Sequence, residues 1–352
     1  MAEAKTSVVV LVNHVGEDEY EQMRQVDPET LGFKPEYDIH VSTVQEEYVA
    51  VVKALRKEGF RARLVNLEEN LRKLQTLLSR NPPNVIFNLV EHFRDSSVLE
   101  SAVAGLFELH GIAYTGGGPF SLALCQRKGL IKQVLFANGV PTPRFRIHAT
   151  PEIPRRHGLH YPLIVKPARE DASSGVDRNS VVHDYEQLKT KLEHVFTEYS
   201  PPILVEEFIE GTELHVSILG NNPPIVLPMI EFDFSELPEG HPRLISYDAK
   251  WNPLDEIYHR VHSVCPARIP KRAHKKVSEV AIKAYQIAGC RDYARLDIRL
   301  DKNNHPFVLE VNQNPDLTEG VSLMESAEQG GYSFSTTLKM IVEFALARKQ
   351  RR

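Results

Sequence analysis

The sequence predicts an α/β protein that opens on a parallel sheet and continues into a region of strands joined by short loops. Two observations lead there. Up to Tyr114, short β-branched runs alternate with helix-like stretches, the pattern of a parallel sheet with helices on both faces. From Arg144 onward the composition shifts towards strands and short loops, and a domain boundary is expected near residues 115–120.

In the first region, residues 7–13 (SVVVLVN) read as a buried strand and residues 16–37, polar and acidic, as a long loop. A helix starts at Ser42 or Thr43, is striped by Val44, Tyr48, Val51, Val52 and Leu55, and ends at Gly59. Residues 60–67 form a second strand, 68–80 a helix broken by Pro82 and Pro83, 85–89 a third strand, 97–110 a helix and 112–114 a short strand. Ligands of such sheets collect at the carboxyl ends of the strands, which here carry Asn13, His14, residues 88–92 and Gly116–Gly118. The three glycines lack a following Lys-Ser or Lys-Thr, so they read as a turn needing positive φ rather than a phosphate loop. His14, His40 and His92 have no paired spacing and read as polar loop residues.

Further on, one helix is expected over residues 120–139, carrying Lys128, Lys132 and Gln133. A strand over 161–167 ends at Lys166 and opens into a small-residue loop with Glu170, Ser173, Ser174 and Gly175. A lysine facing such a loop suits a polyphosphate, because loop N–H and hydroxyl groups donate to phosphate oxygens. After a helix from Tyr185, the strand at 203–206 runs into a turn with Glu207, Phe208, Ile209 and Glu213, where backbone can read a base edge and a carboxylate can accept from ribose. Residues 214–219 and 224–229 are expected to pair as strands. Residues 245–265 have weak period and hold Lys250 beside Trp251, the only tryptophan, as a lid would. A helix over 270–288 leads into residues 293–312, two strands joined by a polar turn at 301–304, and two helices close the chain.

That hairpin carries the chemistry. Its period of two sets Arg295, Asp297 and Arg299 on one face, with Glu310 and Asn312 opposite and Phe307, Leu309 and Val311 turned away. Two carboxylates and an amide oxygen are hard ligands of the kind Mg²⁺ takes while keeping waters and binding phosphates. A solvated hairpin face is the plain alternative.

Composition narrows the classes. With 42% hydrophobic and 25% charged residues the chain is an ordinary globular one, and its net charge of −5 gives no reason to expect nucleic acid. The basic run 348–352 reads as a helix end. No apolar run is long enough to span a membrane, and no signal peptide is expected. Cys125, Cys265 and Cys290 lack metal-like spacing, which fits reduced thiols in the cytoplasm.

Taken in order, the segments 112–118 (IAYTGGG), 164–176 (IVKPAREDASSGV), 204–220 (LVEEFIEGTELHVSILG), 246–251 (SYDAKW), 289–300 (GCRDYARLDIRL), 308–318 (VLEVNQNPDLT) and 322–335 (SLMESAEQGGYSFS) resemble the ATP-grasp carboxylate–amine ligases, D-alanine–D-alanine ligase above all. The resemblance implies an ATP-grasp fold: an N-terminal parallel α/β domain at 1–118, then two α+β subdomains at 119–206 and 207–352 that sandwich ATP. It implies that Lys128 and Lys166 bind the phosphates, that Glu170 and Ser173 close over them, and that Glu206, Glu207, Phe208 and Ile209 form the adenine hinge. Glu213 would take the ribose and Lys250 the γ-phosphate. Asp297, Glu310 and Asn312 would hold two Mg²⁺ ions, with Mn²⁺ as a substitute. Arg295 would steady the acyl phosphate and tetrahedral intermediate, the N–H of Asp316 the oxyanion, and Ser322 the acceptor's carboxylate. The implied partners are small-molecule carboxylate and amino-acid substrates, and, by analogy, a second copy in a homodimer.

The chain departs from that pattern at Asn13–Gly16, at His40-Val41-Ser42, at residues 88–92 and at Asp316, where the family has glycine. These departures point to a different first substrate with the same chemistry. Authentic D-alanine–D-alanine ligase and a non-catalytic ATP-binding regulator are the competing readings.

Overall fold

A computed structural model describes residues 5–16, 19–94, 96–170 and 173–350. Asp171 and Ala172 of the small-residue loop, and Arg351 and Arg352 of the basic tail, lie outside the described residues.

The first sheet is parallel, in the order Arg61–Asn66, Ser7–Val12, Val85–Leu89, Ala113–Tyr114. Ser7–Val12 lies between two neighbours with helices on both sides, and Val8 through Val12 are all buried. That is why its sequence is apolar from Val8 to Val12 rather than alternating. Helix Val44–Lys57 is capped by Thr43, not the exposed Ser42, through a reciprocal capping box with Glu46. Helix Leu71–Arg80 starts later than its sequence period suggests. Glu68 and Glu69 take positive φ, and Asn70 caps the first turn by accepting from the Lys73 N–H.

The helix expected over 120–139 is two helices, Pro119–Cys125 and Lys128–Ala137. The chain leaves helical geometry at Arg127 (φ −99°, ψ 80°), and the Lys128 N–H donates instead to the Ala168 carbonyl. The break turns Lys128 inward.

The second sheet is antiparallel, in the order Phe145–His148, Ile203–Glu207, Leu163–Pro167, Val181–Val182. The third runs His262–Val264, Ile230–Asp233, Gly211–Leu219, Tyr293–Asp301, Pro306–Asn312, with the short Ile225–Val226 beside Gly211–Leu219. The strand expected over 224–229 is thus only two residues long. Pro223, Pro224 and Pro228 have no N–H to give the ladder. The weakly periodic segment 245–265 holds two five-residue helices, Tyr247–Trp251 and Glu256–Arg260, capped by Ser246 and Asp255. Elements this short show no period.

Helix Phe334–Gln350 returns to the first sheet, packing on helix Val44–Lys57 and strand Ala113–Tyr114. Arg348 anchors it there, pairing with the fully buried Asp292 and donating to the Tyr114 carbonyl at 2.7 Å.

Candidate active site

The hairpin register sets Asp297 directly opposite Glu310, and Arg295 opposite Asn312. Arg295 donates to Asp297 through Nε at 2.7 Å and Nη2 at 3.1 Å. Lys128 pairs with Glu310. Burial pushes both carboxyls up in pKa, but the cations outweigh it. Arg295 and Lys250 hold Asp297 far below the carboxylate range, and Lys128 holds Glu310 below its ordinary value. Both acids are thus kept ionised.

One expectation fails here. Leu309 does not share a face with Val311. The register slips between Asp297 and Ile298, so that Asp297 meets Glu310 while Ile298 meets Val308. Leu309 is the extra residue of a bulge. Phase reverses across it: Val308 and Val311 enter the core, while Phe307 and Leu309 turn away from it. Leu309 thereby joins Glu310 in lining a cavity.

That cavity, narrow at about 70 Å³, lies between the second and third sheets. Its walls bring together Lys128, Lys166, Glu170, Ser173, Glu206, Glu207, Phe208, Ile209, Glu213, Lys250, Asp297 and Glu310, every residue expected to meet a nucleotide. Glu206 is its buried keystone. Lys166 Nζ lies 2.6 Å from one carboxylate oxygen and Lys132 Nζ 2.8 Å from the other. Burial pushes the Glu206 pKa up, but Lys132 and Lys166 overcome this and hold it at about 2. Burial draws the Lys132 ammonium down. Sequence reasoning assigned Lys132 no role, although its spacing of four from Lys128 puts both lysines on one helix face.

At the hinge, the N–H groups of Glu207 and Phe208 donate to the carbonyls of Arg144 and Pro162. Glu213 is buried and bonded to Arg299 at 2.9 Å, and the Arg299 guanidinium lies 4.5 Å from the Phe208 ring centre. Arg299 therefore sets both the acid and the aromatic wall, a role its position on the hairpin face could have suggested. Ser173 donates to the Ile245 carbonyl at 3.4 Å and the Tyr247 N–H to Val176, so the small-residue loop and the segment bearing Lys250 meet across the cavity.

A second, larger cavity of about 600 Å³ shares Ile245, Lys250 and Glu310 with the first. Arg295, Asn312, Asp316 and Ser322 line it, together with Glu91, His92, Tyr37 and Trp251. Ser322 takes an unusual φ of 44° and its hydroxyl lies 3.1 Å from His215 Nδ1. The other ring nitrogen of His215 lies 3.5 Å from Asp297. Burial drives the His215 pKa well down, so the ring is neutral. No sequence signal singled out His215. Asp316 accepts from the N–H and hydroxyl of Thr318 at 2.9 and 2.7 Å. The polar 16–37 stretch holds helix Glu19–Met23 and brings Tyr37 to this cavity, the N–H groups of Glu36 and Tyr37 donating to His259 Nδ1.

The Gly116–Gly118 turn supports the site from behind. Gly116 has φ +82°, the Gly117 N–H donates to Asn314 Oδ1 at 2.8 Å, and a Cβ on Gly116 would overlap that oxygen. The positive-φ reading holds for Gly116 alone; Gly118 is extended (φ −81°) and stands as the N-cap of helix Pro119–Cys125.

The family model described as "D-ala D-ala ligase C-terminus" matches residues 139–343. A D-alanine–D-alanine ligase of Carboxydothermus hydrogenoformans is 31% identical over 312 residues, 86% of this chain and 93% of that one. This chain belongs to the D-alanine–D-alanine ligase family. An uncharacterised protein of Sinorhizobium fredii, y4sG, is 33% identical over 309 residues, 84% of this chain and 86% of that one. In solved structures, the D-alanine–D-alanine ligase of Bacillus anthracis complexed with ATP superposes with a TM-score of 0.72 at 21% identity, covering 99% of both chains. The family's ATP-grasp fold is the fold seen here, and as a member of the family the protein is a ligase that forms C–N bonds. Among the described residues, no helix is long and apolar enough to cross a membrane.

Proposed function

We propose that this ligase cleaves ATP to ADP and phosphate while joining a carboxylate other than D-alanine to an amino acid. The observation that carries the reading is the junction of the two cavities at Lys250 and Glu310, one lysine-rich and one large enough for two small substrates. Division of the chain at 118 and 206 accords with the three sheets, and the three free cysteines accord with a cytoplasmic protein. We retain a homodimer by analogy with similar ligases.

The donor set suits Mg²⁺: two ionised, buried carboxylates side by side and an amide oxygen two residues on, with hard oxygens throughout. Asp297, Glu310 and Asn312 would hold it, two ions in all and Mn²⁺ as a substitute. When bound, the metal supplies charge neutralisation at the phosphate oxygens.

The chain's own residues do the rest. Lys128 and Lys166 hold the phosphates, with Glu206 orienting Lys166. Glu207 and Ile209 read the adenine through backbone, Glu213 takes the ribose, and Glu170 and Ser173 shut the loop. Lys250 meets the γ-phosphoryl group. A substrate carboxylate oxygen bonds to that phosphorus as the bond to ADP breaks. The amine nitrogen then bonds to the acyl carbon, phosphate leaves, and the nitrogen loses a proton. Arg295 and the Asp316 N–H steady the oxyanion between these steps, a contribution of roughly 3 kcal/mol per donor. Ser322, held by His215, receives the amino acid. The segment from Ile245 to Trp251 keeps water from the acyl phosphate.

The remodelled first-substrate pocket supports a donor other than D-alanine. Asn13 is tied to Glu69 and the His92 carbonyl, while Glu91 and His92 line the large cavity. Incubation with ATP, Mg²⁺ and pooled amino acids, read by mass spectrometry, should give ADP, phosphate and a condensed product. D-alanyl-D-alanine formed readily from D-alanine alone would make the protein an authentic D-alanine–D-alanine ligase. ATP bound without turnover would make it a regulator.

A further inference from the structure

We infer, resting on the ligase reading above, that the amine substrate carries a second cationic group, held by the Glu325 carboxylate at the end of the large cavity remote from the nucleotide. The substrate class is a basic amino acid or another diamine.

Charge is the first support. The large cavity is lined by Glu91, Glu100, Glu310, Asp316 and Glu325 but by only two permanent cations, Lys250 and Arg295. Arg295 is already spent on Asp297, and Glu310 already has Lys128. Asp316 accepts twice from Thr318 and Glu100 accepts from Gln126 and Asn314, whereas Glu325 is held more loosely than either. It has no ion-pair partner among the described residues, and its one hydrogen bond comes from the Ser263 hydroxyl at 3.4 Å. It is half-buried, and burial, together with the neighbouring Glu328, raises its pKa. A carboxylate drawn out of water without a counter-charge gains most from an arriving cation.

Position is the second. Glu325 stands one turn from Ser322, so both side chains serve the same wall. Tyr37, Tyr258, Val261, Ser263 and Glu325 line only the large cavity, whereas Lys250 and Glu310 line both. The carboxylate substrate must meet the γ-phosphoryl at the junction. The nucleotide takes the narrow cavity, so the amine reaches the acyl carbon through the large one, whose wall carries Glu325.

The walls are the third. Tyr37 lies edge-on to Tyr258 at 6.2 Å between ring centres, and its hydroxyl lies 2.6 Å from His262, next in sequence to Ser263. Ser263 in turn donates to Glu325, so Tyr37 and Glu325 share one end of the cavity. Aromatic faces around a carboxylate favour ammonium or guanidinium over a neutral tail.

The test uses the full chain with ATP, Mg²⁺, a pool of carboxylates and one acceptor at a time: lysine against norleucine, and arginine against citrulline, in both enantiomers. ADP release and product mass are followed. The cationic member of each pair should be favoured by about 10- to 100-fold in kcat/KM, the worth of one charge-assisted contact. Glu325→Gln should bring that ratio close to one. Equal kcat/KM within the wild-type pairs, which needs no variant to fold, overturns the inference and leaves the ligase standing. So does a preference that survives Glu325→Gln. No condensed product from any acceptor overturns the ligase reading as well.

Discussion

Arg295 holds Asp297, two residues ahead on its own strand, through Nε at 2.7 Å and Nη2 at 3.1 Å. The pair shares one strand face, so the arginine fork is locked in place where the two cavities join. Arg295→Lys keeps the charge but loses the fork. In a coupled ADP assay, kcat should fall roughly 100- to 1000-fold. An unchanged kcat would remove Arg295 from acyl transfer.

Asp297→Asn and Glu310→Gln each take one charge from the facing carboxylates. The Mg²⁺ concentration giving half-maximal turnover should rise at least about 10-fold in either variant, by analogy with losses around metal ligands. A Mg²⁺ titration at saturating ATP checks it. Superimposable titrations of variant and wild type would defeat the metal assignment.

Gly116 cannot accept a side chain without moving Asn314, whose Oδ1 also receives the Gly117 N–H. With φ at +82°, Gly116→Ala adds backbone strain to that overlap. It should cost about 1–3 kcal/mol in urea unfolding. It should also slow turnover, because Asn314 lies between Asn312 and Asp316.

Glu206 gives the protein an acid-side pH dependence. Its folded pKa, about 2, lies below the ordinary glutamate value of 4.5, so the unfolded chain binds more protons between those values. The stability from its lysine pairs is therefore complete above 4.5 and is lost as pH falls towards 2. Denaturant unfolding at a series of pH values should show wild-type stability rising across this window, and a flatter rise in Glu206→Gln. That variant also leaves Lys132 and Lys166 without their counter-charge and should lose about 3 kcal/mol at neutral pH.

Much of the fold and site was readable because it rests on local rules. Val8 to Val12 is apolar throughout because both faces of the strand are covered, and Thr43 with Glu46 caps a helix through contacts three residues apart. The alternation in Tyr293–Asp301 put Arg295, Asp297 and Arg299 on one face, and the register kept them there. The ordered motifs named residues of both cavities, Lys166 and Asp297 in the narrow one and Arg295 and Ser322 in the large one.

What failed was whatever depends on partners distant in sequence. A period cannot reveal that Leu309 is an extra residue, because a bulge exists only against the opposite strand. Nor can it tell that Glu206 joins Lys132 to Lys166, that Arg299 turns to Glu213, or that His215 reaches Ser322. The closing helix was readable as a helix, yet the packing of Phe334–Gln350 on the first sheet, through Leu338, Ile341 and Val342 and the Arg348 pair with buried Asp292, depends on residues far away in the chain. The sequence by itself determined which side chains were available and, away from the bulge at Leu309, which face of its own element each would take, since local backbone geometry sets both. Only the tertiary structure decided which charges met, because register and sheet packing bring together residues that no local period relates.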